Sequence, residues 1–116
     1  MGLETTTIVG MIYLPNGQRV TGGTVVAALS SSGSANDTVS AATERVGGRC
    51  ESMIEPTGLY SVSIALVPND AITPAGTFYR VTFNITSPIR TSWTEGWSVA
   101  TGLDPIEIGD VTRVTI

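Results

Sequence analysis

The sequence predicts an all-β protein, a single antiparallel β-sandwich of about seven to eight strands. Three observations carry that prediction. Three glycine turns, Pro15-Asn16-Gly17, Pro56-Thr57-Gly58 and Pro74-Ala75-Gly76, each lead directly or within a few residues into alternating apolar runs. Thr, Val and Ile make up about a third of the 116 residues, and these β-branched side chains suit a pleated, half-buried surface. No segment long enough for a stable helix has a helical period, and no tandem repeat recurs.

The first strand runs from about Thr6 to Leu14, with Ile8, Gly10, Ile12 and Leu14 on one face and Val9, Met11 and Tyr13 on the other. Both faces are apolar, which places this strand in the centre of a sheet or beneath another subunit. Thr24 to Ser30 alternates Val25, Ala27 and Leu29 with Thr24, Val26 and Ala28. Ser31 to Thr38 reads as a flexible loop by composition. Val39 to Val46 is either one helical turn or a short edge strand, and the β-rich surroundings favour the strand. Arg49 to Glu55 sets Cys50, Ser52 and Ile54 on one face, with Cys50 expected as a small buried hydrophobe.

Tyr60, Val62, Ile64 and Leu66 then alternate with Ser61, Ser63 and Ala65. Pro68 to Gly76 is a long turn, after which Tyr79, Val81, Phe83 and Ile85 alternate with Arg80, Thr82 and Asn84 until Ser87-Pro88. Thr91 to Val99 aligns Trp93, Glu95, Trp97 and Val99 on one face. A carboxylate between two tryptophans is out of place in a core. Either this face is partly exposed or Gly96 marks a bulge that resets the alternation. Leu103 to Ile116 is apolar enough to require burial, as a last strand of the same sheet or as an arm on a neighbouring copy. The expected organisation is an N-terminal arm at 1–7, a sandwich at 8–102 and a C-terminal strand or arm at 103–116.

Composition narrows the function mainly by exclusion. Hydrophobic residues are 41% and charged residues 14%, against roughly 25% charged in an average soluble domain. A surface so poor in charge suits a place among neighbours in an assembly. The net charge is −4, and all six basic residues are scattered arginines, so no basic stripe awaits phosphates and nucleic acid is not an expected partner. A lone Cys50 allows no intrachain disulfide, which fits intracellular synthesis. Met1-Gly2-Leu3-Glu4 does not open like a signal peptide, and nothing approaches the roughly 18 apolar residues of a spanning helix, so no membrane partner is expected.

The absence of histidine removes Ser-His-Asp and Cys-His catalysis, and the absence of lysine removes Schiff-base and Walker-type chemistry. The neighbouring carboxylates Glu51 and Glu55, Asp104 and Glu107, and Glu107 and Asp110 read as solvated surface groups. A glycosidase would need two of them about 5 to 9.5 Å apart across a cleft, for which a small sandwich has little room. Asn36-Asp37 and Asn69-Asp70 lack the alternating acidic loop of a calcium site and read as turn residues. The chain is therefore expected to be no enzyme, with no catalytic, cofactor-binding or metal-binding residues. Trp93 and Trp97 read as packing a core or subunit interface, or as a carbohydrate platform with Thr91, Thr94 and Glu95 as polar partners.

The segment from Ile8 to Val25, together with Gly58-Leu59-Tyr60-Ser61-Val62 and Thr73 to Thr82, resembles transthyretin-like, carboxypeptidase-regulatory-like (Ig-like) sandwich modules. Pro68-Asn69-Asp70 followed by Pro74-Ala75-Gly76-Thr77 and Tyr79-Arg80-Val81 is similar to such domains in structural proteins of tailed bacteriophages, as is the tail Asp104 to Val111. The chain departs from that pattern at Ile54-Glu55-Pro56-Thr57-Gly58, where the family has Thr-Asp before the turn glycine. The resemblance implies a transthyretin-like or Ig-like sandwich and a non-enzymatic virion protein, synthesised in the host cytoplasm. One domain is too short for a fibre shaft, so a capsid decoration or cement protein is expected. Its partners would be the major capsid protein or other virion proteins and further copies of itself, as a trimer or dimer. The expected interface residues are Trp93, Trp97, Val111, Val114 and Ile116, with the N-terminal segment. The alternative is a tail-fibre or tail-associated module that binds a host receptor, such as a surface glycan.

Overall fold

Strand alternation sorts the apolar residues to one side of each sheet, and the computed structural model places those sides around a common core. It describes residues 5–29, 40–41, 44–45, 49–72, 77–101 and 105–115, with backbone alone at 40–41 and 44–45. The chain is all-β. Its strands are β1 (Thr6–Gly10), β2 (Gly22–Leu29), β3 (Ser40–Ala41), β4 (Glu44–Arg45), β5 (Arg49–Met53), β6 (Val62–Leu66), β7 (Tyr79–Ser87), β8 (Thr91–Ser98), β9 (Ile106–Glu107) and β10 (Thr112–Val114). A single 3₁₀ turn at Asn69–Ala71 is the one helical element among the described residues.

One sheet has three strands in the order β6-β1-β9, and the other has five in the order β10-β8-β7-β2-β5; β3 and β4 form a separate short hairpin. The centrality of β1 explains why Ile8 and Val9, on opposite faces, are both buried. Residues of both sheets join one hydrophobic cluster, including Ile8, Ile64 and Leu66 from the first and Val25, Val81, Phe83 and Trp97 from the second. Each such fully buried side chain contributes about 1.5–3 kcal/mol of transfer free energy. Outward positions on β7, Arg80, Asn84 and Thr86, are exposed as the alternation requires.

Several expectations are revised. The pairing is not wholly antiparallel, because β9 runs parallel to β1, with Ile8 opposite Ile106 and Val9 opposite Glu107. Of the C-terminal segment, the described residues 105–115 are split between the two sheets, β9 joining the first and β10 pairing antiparallel with β8 in the second. Cys50 is exposed rather than buried: β5 is an edge strand, and the Sγ sits at the rim, 4.0 Å from the Ala65 carbonyl of β6. Beside it the Ser52 hydroxyl donates to the Ser63 carbonyl at 3.1 Å, so side chains bridge the two sheet edges there.

No bulge lies at Gly96, since β7 and β8 keep one register from Ile85 opposite Thr91 to Tyr79 opposite Trp97. The register shift falls instead between Gly22 and Gly23. Gly23 has φ of 137°, and a Cβ there would run into the Asn84 carbonyl, so only glycine fits. The loop 31–38 and the turn at 73–76 lie outside the described residues.

Asn69-Asp70 is a fastening point. The buried Asn69 accepts from the Val99 amide at 2.8 Å and donates to Thr77 Oγ1 at 3.2 Å. The Asp70 carboxylate accepts from the Thr101 amide and hydroxyl at 3.0 Å each. These bonds give both residues structural partners. Nearby, the Tyr79 hydroxyl donates to the Val67 carbonyl at 2.6 Å. Burial pushes that phenol up to about 12, and the neighbouring Cys50 adds to the shift.

Candidate functional site

Two constellations stand apart from the plain pattern of apolar core and polar surface. The first is built on β8, where strict alternation turns Trp93, Glu95 and Trp97 to the inner side opposite Phe83, Val81 and Tyr79. Trp93 Nε1–H donates to Glu95 Oε2 at 3.0 Å and Trp97 Nε1–H donates to Glu95 Oε1 at 2.9 Å. Arg113 of β10 completes the cluster, with Nε 3.2 Å and Nη2 3.1 Å from the same Oε1. The remaining Arg113 nitrogen, Nη1, donates to the Ile108 carbonyl at 2.7 Å and the Val111 carbonyl at 2.9 Å. Phe83 stacks on Trp93 at 4.8 Å between centroids and meets Trp97 edge-on at 6.0 Å.

The carboxylate thus collects two indole donors and a guanidinium, and the guanidinium gathers in the crossing from β9 to β10. Charge-assisted bonds of this kind resolve the oddity of Glu95 without a ligand. The expected interface residues lie at different depths. Trp97 and Val111 are buried in their own core, Val114 is half-buried on β10, and Trp93 is 36% exposed. Ile116 and the segment 1–4 lie outside the described residues. The two tryptophans do not form an exposed row, so they make no paired carbohydrate platform.

The second constellation was not legible as a unit in the sequence. The register, with Gly10 opposite Val62, Gly22 opposite Ser87 and Thr24 opposite Met53, brings the loops 11–21, 54–61 and 88–90 to one end of the sheets. Hydrogen bonds join them into one surface. Arg19 Nη2 donates to the Glu55 carbonyl at 3.0 Å and the Gly58 carbonyl at 2.8 Å. The Thr21 amide donates to the Ser87 carbonyl at 2.9 Å, and the Ile12 amide to Ser61 Oγ at 3.2 Å. The hairpin tip turns at Gly17 with φ of 87°, and Asn16 Oδ1 accepts from the Gln18 amide at 3.0 Å. An isolated bridge pairs Tyr13 with Arg19 at the hairpin's base.

This end carries four of the five large apolar side chains that the described residues leave exposed. Leu59 is 82% exposed, Met53 65%, Tyr13 58% and Ile89 55%; Trp93 is the fifth large exposed apolar residue. Between the hairpin and the β7–β8 connection, Leu14, Pro15, Asn16, Ile89 and Thr91 line an open cleft of about 320 Å³. Asn84, Ile85, Thr86, Arg90 and Ser92 help to line a second cleft, of about 400 Å³ and mixed polar and apolar character. Both are shallow. Among the described residues no cluster of three or more potential metal ligands occurs, and no helix is long and apolar enough to cross a membrane. Lone loop residues such as Leu59 give no sequence signal, because a turn leucine looks the same whether it folds inward or projects.

Comparison with known proteins adds no assignment: no family model, no curated protein and no solved structure matches this chain.

Proposed function

We propose that this protein is a non-enzymatic structural module that works by adhering to neighbouring subunits, and that its setting is a bacteriophage virion, where it decorates and stabilises the capsid. The observation that carries the adhesive reading is the gathering of Tyr13, Met53, Leu59 and Ile89 at one end of the sheets. Large exposed apolar side chains concentrated in one place mark an interaction surface, since scattered single ones are the rule elsewhere. The virion setting rests on the sequence resemblance alone.

The test is immunogold labelling of phage particles with an antibody to this protein. Label spread over the heads is the expected result. Label confined to tails would replace decoration with the receptor-binding alternative, and unlabelled particles would remove the virion setting. For the adhesive mechanism, Leu59→Glu and Ile89→Glu are expected to abolish cosedimentation with assembled shells while leaving the unfolding midpoint unchanged.

A further inference from the structure

We infer that the loop end is a self-complementary surface, and that its occupant is a second copy of this chain related by a two-fold axis. The inference rests on the adhesive reading and names the partner of that same surface.

An isologous interface demands that each patch meet its own image, so unlike charges must sit at opposite flanks and apolar groups near the axis. The loop end has that layout. The strand order β8-β7-β2-β5 spaces the connections across it: Ile89 and Arg90 leave β7 on one flank, and Glu55 follows β5 on the other. Tyr13 and Arg19 stand between them, because the hairpin precedes β2 and Arg19 reaches over to Glu55 and Gly58. Arg19 is engaged in holding the loops together and is not free to serve a partner. Arg90 and the Glu55 carboxylate differ from it: both residues are exposed, and neither side chain has a hydrogen bond or ion pair among the described residues.

A half-turn about an axis near Tyr13 carries Arg90 of one copy toward Glu55 of the other, and the reverse. The same half-turn carries Ile89 of one copy toward Leu59 of the other, so apolar side chains meet beside each charge pair, and Tyr13 meets its own image at the axis. Two reciprocal ion pairs then flank a hydrophobic middle, the usual division of an interface into apolar core and charged rim. The charges fix register and orientation, and the apolar burial supplies the driving force.

The experiment is sedimentation velocity with light scattering on the full chain across a dilution series. Wild type is expected to dimerise reversibly, and Leu59→Glu to remain monomeric, with an unfolding midpoint equal to that of wild type at dilutions where wild type is itself monomeric. Glu55→Arg and Arg90→Glu are each expected to weaken the dimer at least about tenfold, and the double variant to restore it, because the swapped charges again face unlike partners. A wild type that stays monomeric at every concentration overturns the inference. So does a dimer untouched by Leu59→Glu, or a charge swap without rescue. Shell cosedimentation separates the two readings: a monomeric wild type that still binds shells through Leu59 sinks the dimer and keeps the adhesive module. Binding of a monomeric wild type to anionic lipid vesicles, lost in Leu59→Glu, overturns both in favour of a lipid surface.

Discussion

The Glu95 cluster and the loop end break the same rule in opposite directions. One places a carboxylate on the core side of a sheet, and the other leaves leucine, isoleucine, tyrosine and methionine in water. At the cluster every strong polar group finds its partner within the chain: two indoles and a guanidinium converge on one carboxylate, and two carbonyls take the rest of the guanidinium. At the loop end the polar bonds among Arg19, Glu55 and Gly58 hold the loops, yet Leu59 projects with 82% of its surface bare. A departure from pattern that is satisfied internally is architecture. One that is left unsatisfied faces outward, and on the reading proposed above it is the surface offered to a partner.

This contrast gives ordered expectations. The largest concerns the tryptophans: Trp97→Ala removes a fully buried ring and is expected to cost about 4 kcal/mol in chemical denaturation. Trp93→Ala, from a ring 36% exposed, is expected to cost less than half as much. Equal losses would erase the distinction drawn between the two rings. Next, Glu95→Ala leaves both indole donors and Arg113 without their acceptor and is expected to cost about 2–3 kcal/mol. Glu95→Gln keeps one carbonyl acceptor, and an intermediate loss is expected by the same measurement.

A smaller effect belongs to Tyr79. Its phenol ionises near 10 in the unfolded chain and at about 12 when folded, so the folded state resists ionisation that the unfolded state accepts. The stability it contributes is complete below about pH 10 and is lost as pH rises toward about 12. Tyr79→Phe is expected to cost about 1 kcal/mol at neutral pH and to flatten that alkaline decline, read from denaturation midpoints across the pH series. The smallest stability change is expected for Leu59→Glu, within about 0.5 kcal/mol, because a side chain 82% exposed has little packing to lose. The same substitution should have the greatest effect on assembly, which is what separates the loop end from the core.

Much of the fold was legible from residue order. The runs at Val62–Leu66 and Tyr79–Ile85 alternate in sequence and are buried in alternation, because a pleated strand sends successive side chains to opposite faces. Asn-Gly at 16–17 announced a tight turn, and Gly17 has the positive φ it needs. The same pleat put Glu95 on the inner face, but its spacing could not reveal that Arg113, eighteen residues later, would neutralise it.

Sequence by itself determined the all-β class, the inward faces of the main strands and the exclusion of histidine- and lysine-dependent chemistry, because these follow from residue type and a local period of two. Only the tertiary structure decided the rest. It paired β9 parallel with β1, moved the bulge to Gly23, divided the C-terminal segment between two sheets and brought Tyr13, Leu59 and Ile89 to one end. Alternation records whether a side chain faces in or out, whereas strand order and register fix which distant loops become neighbours.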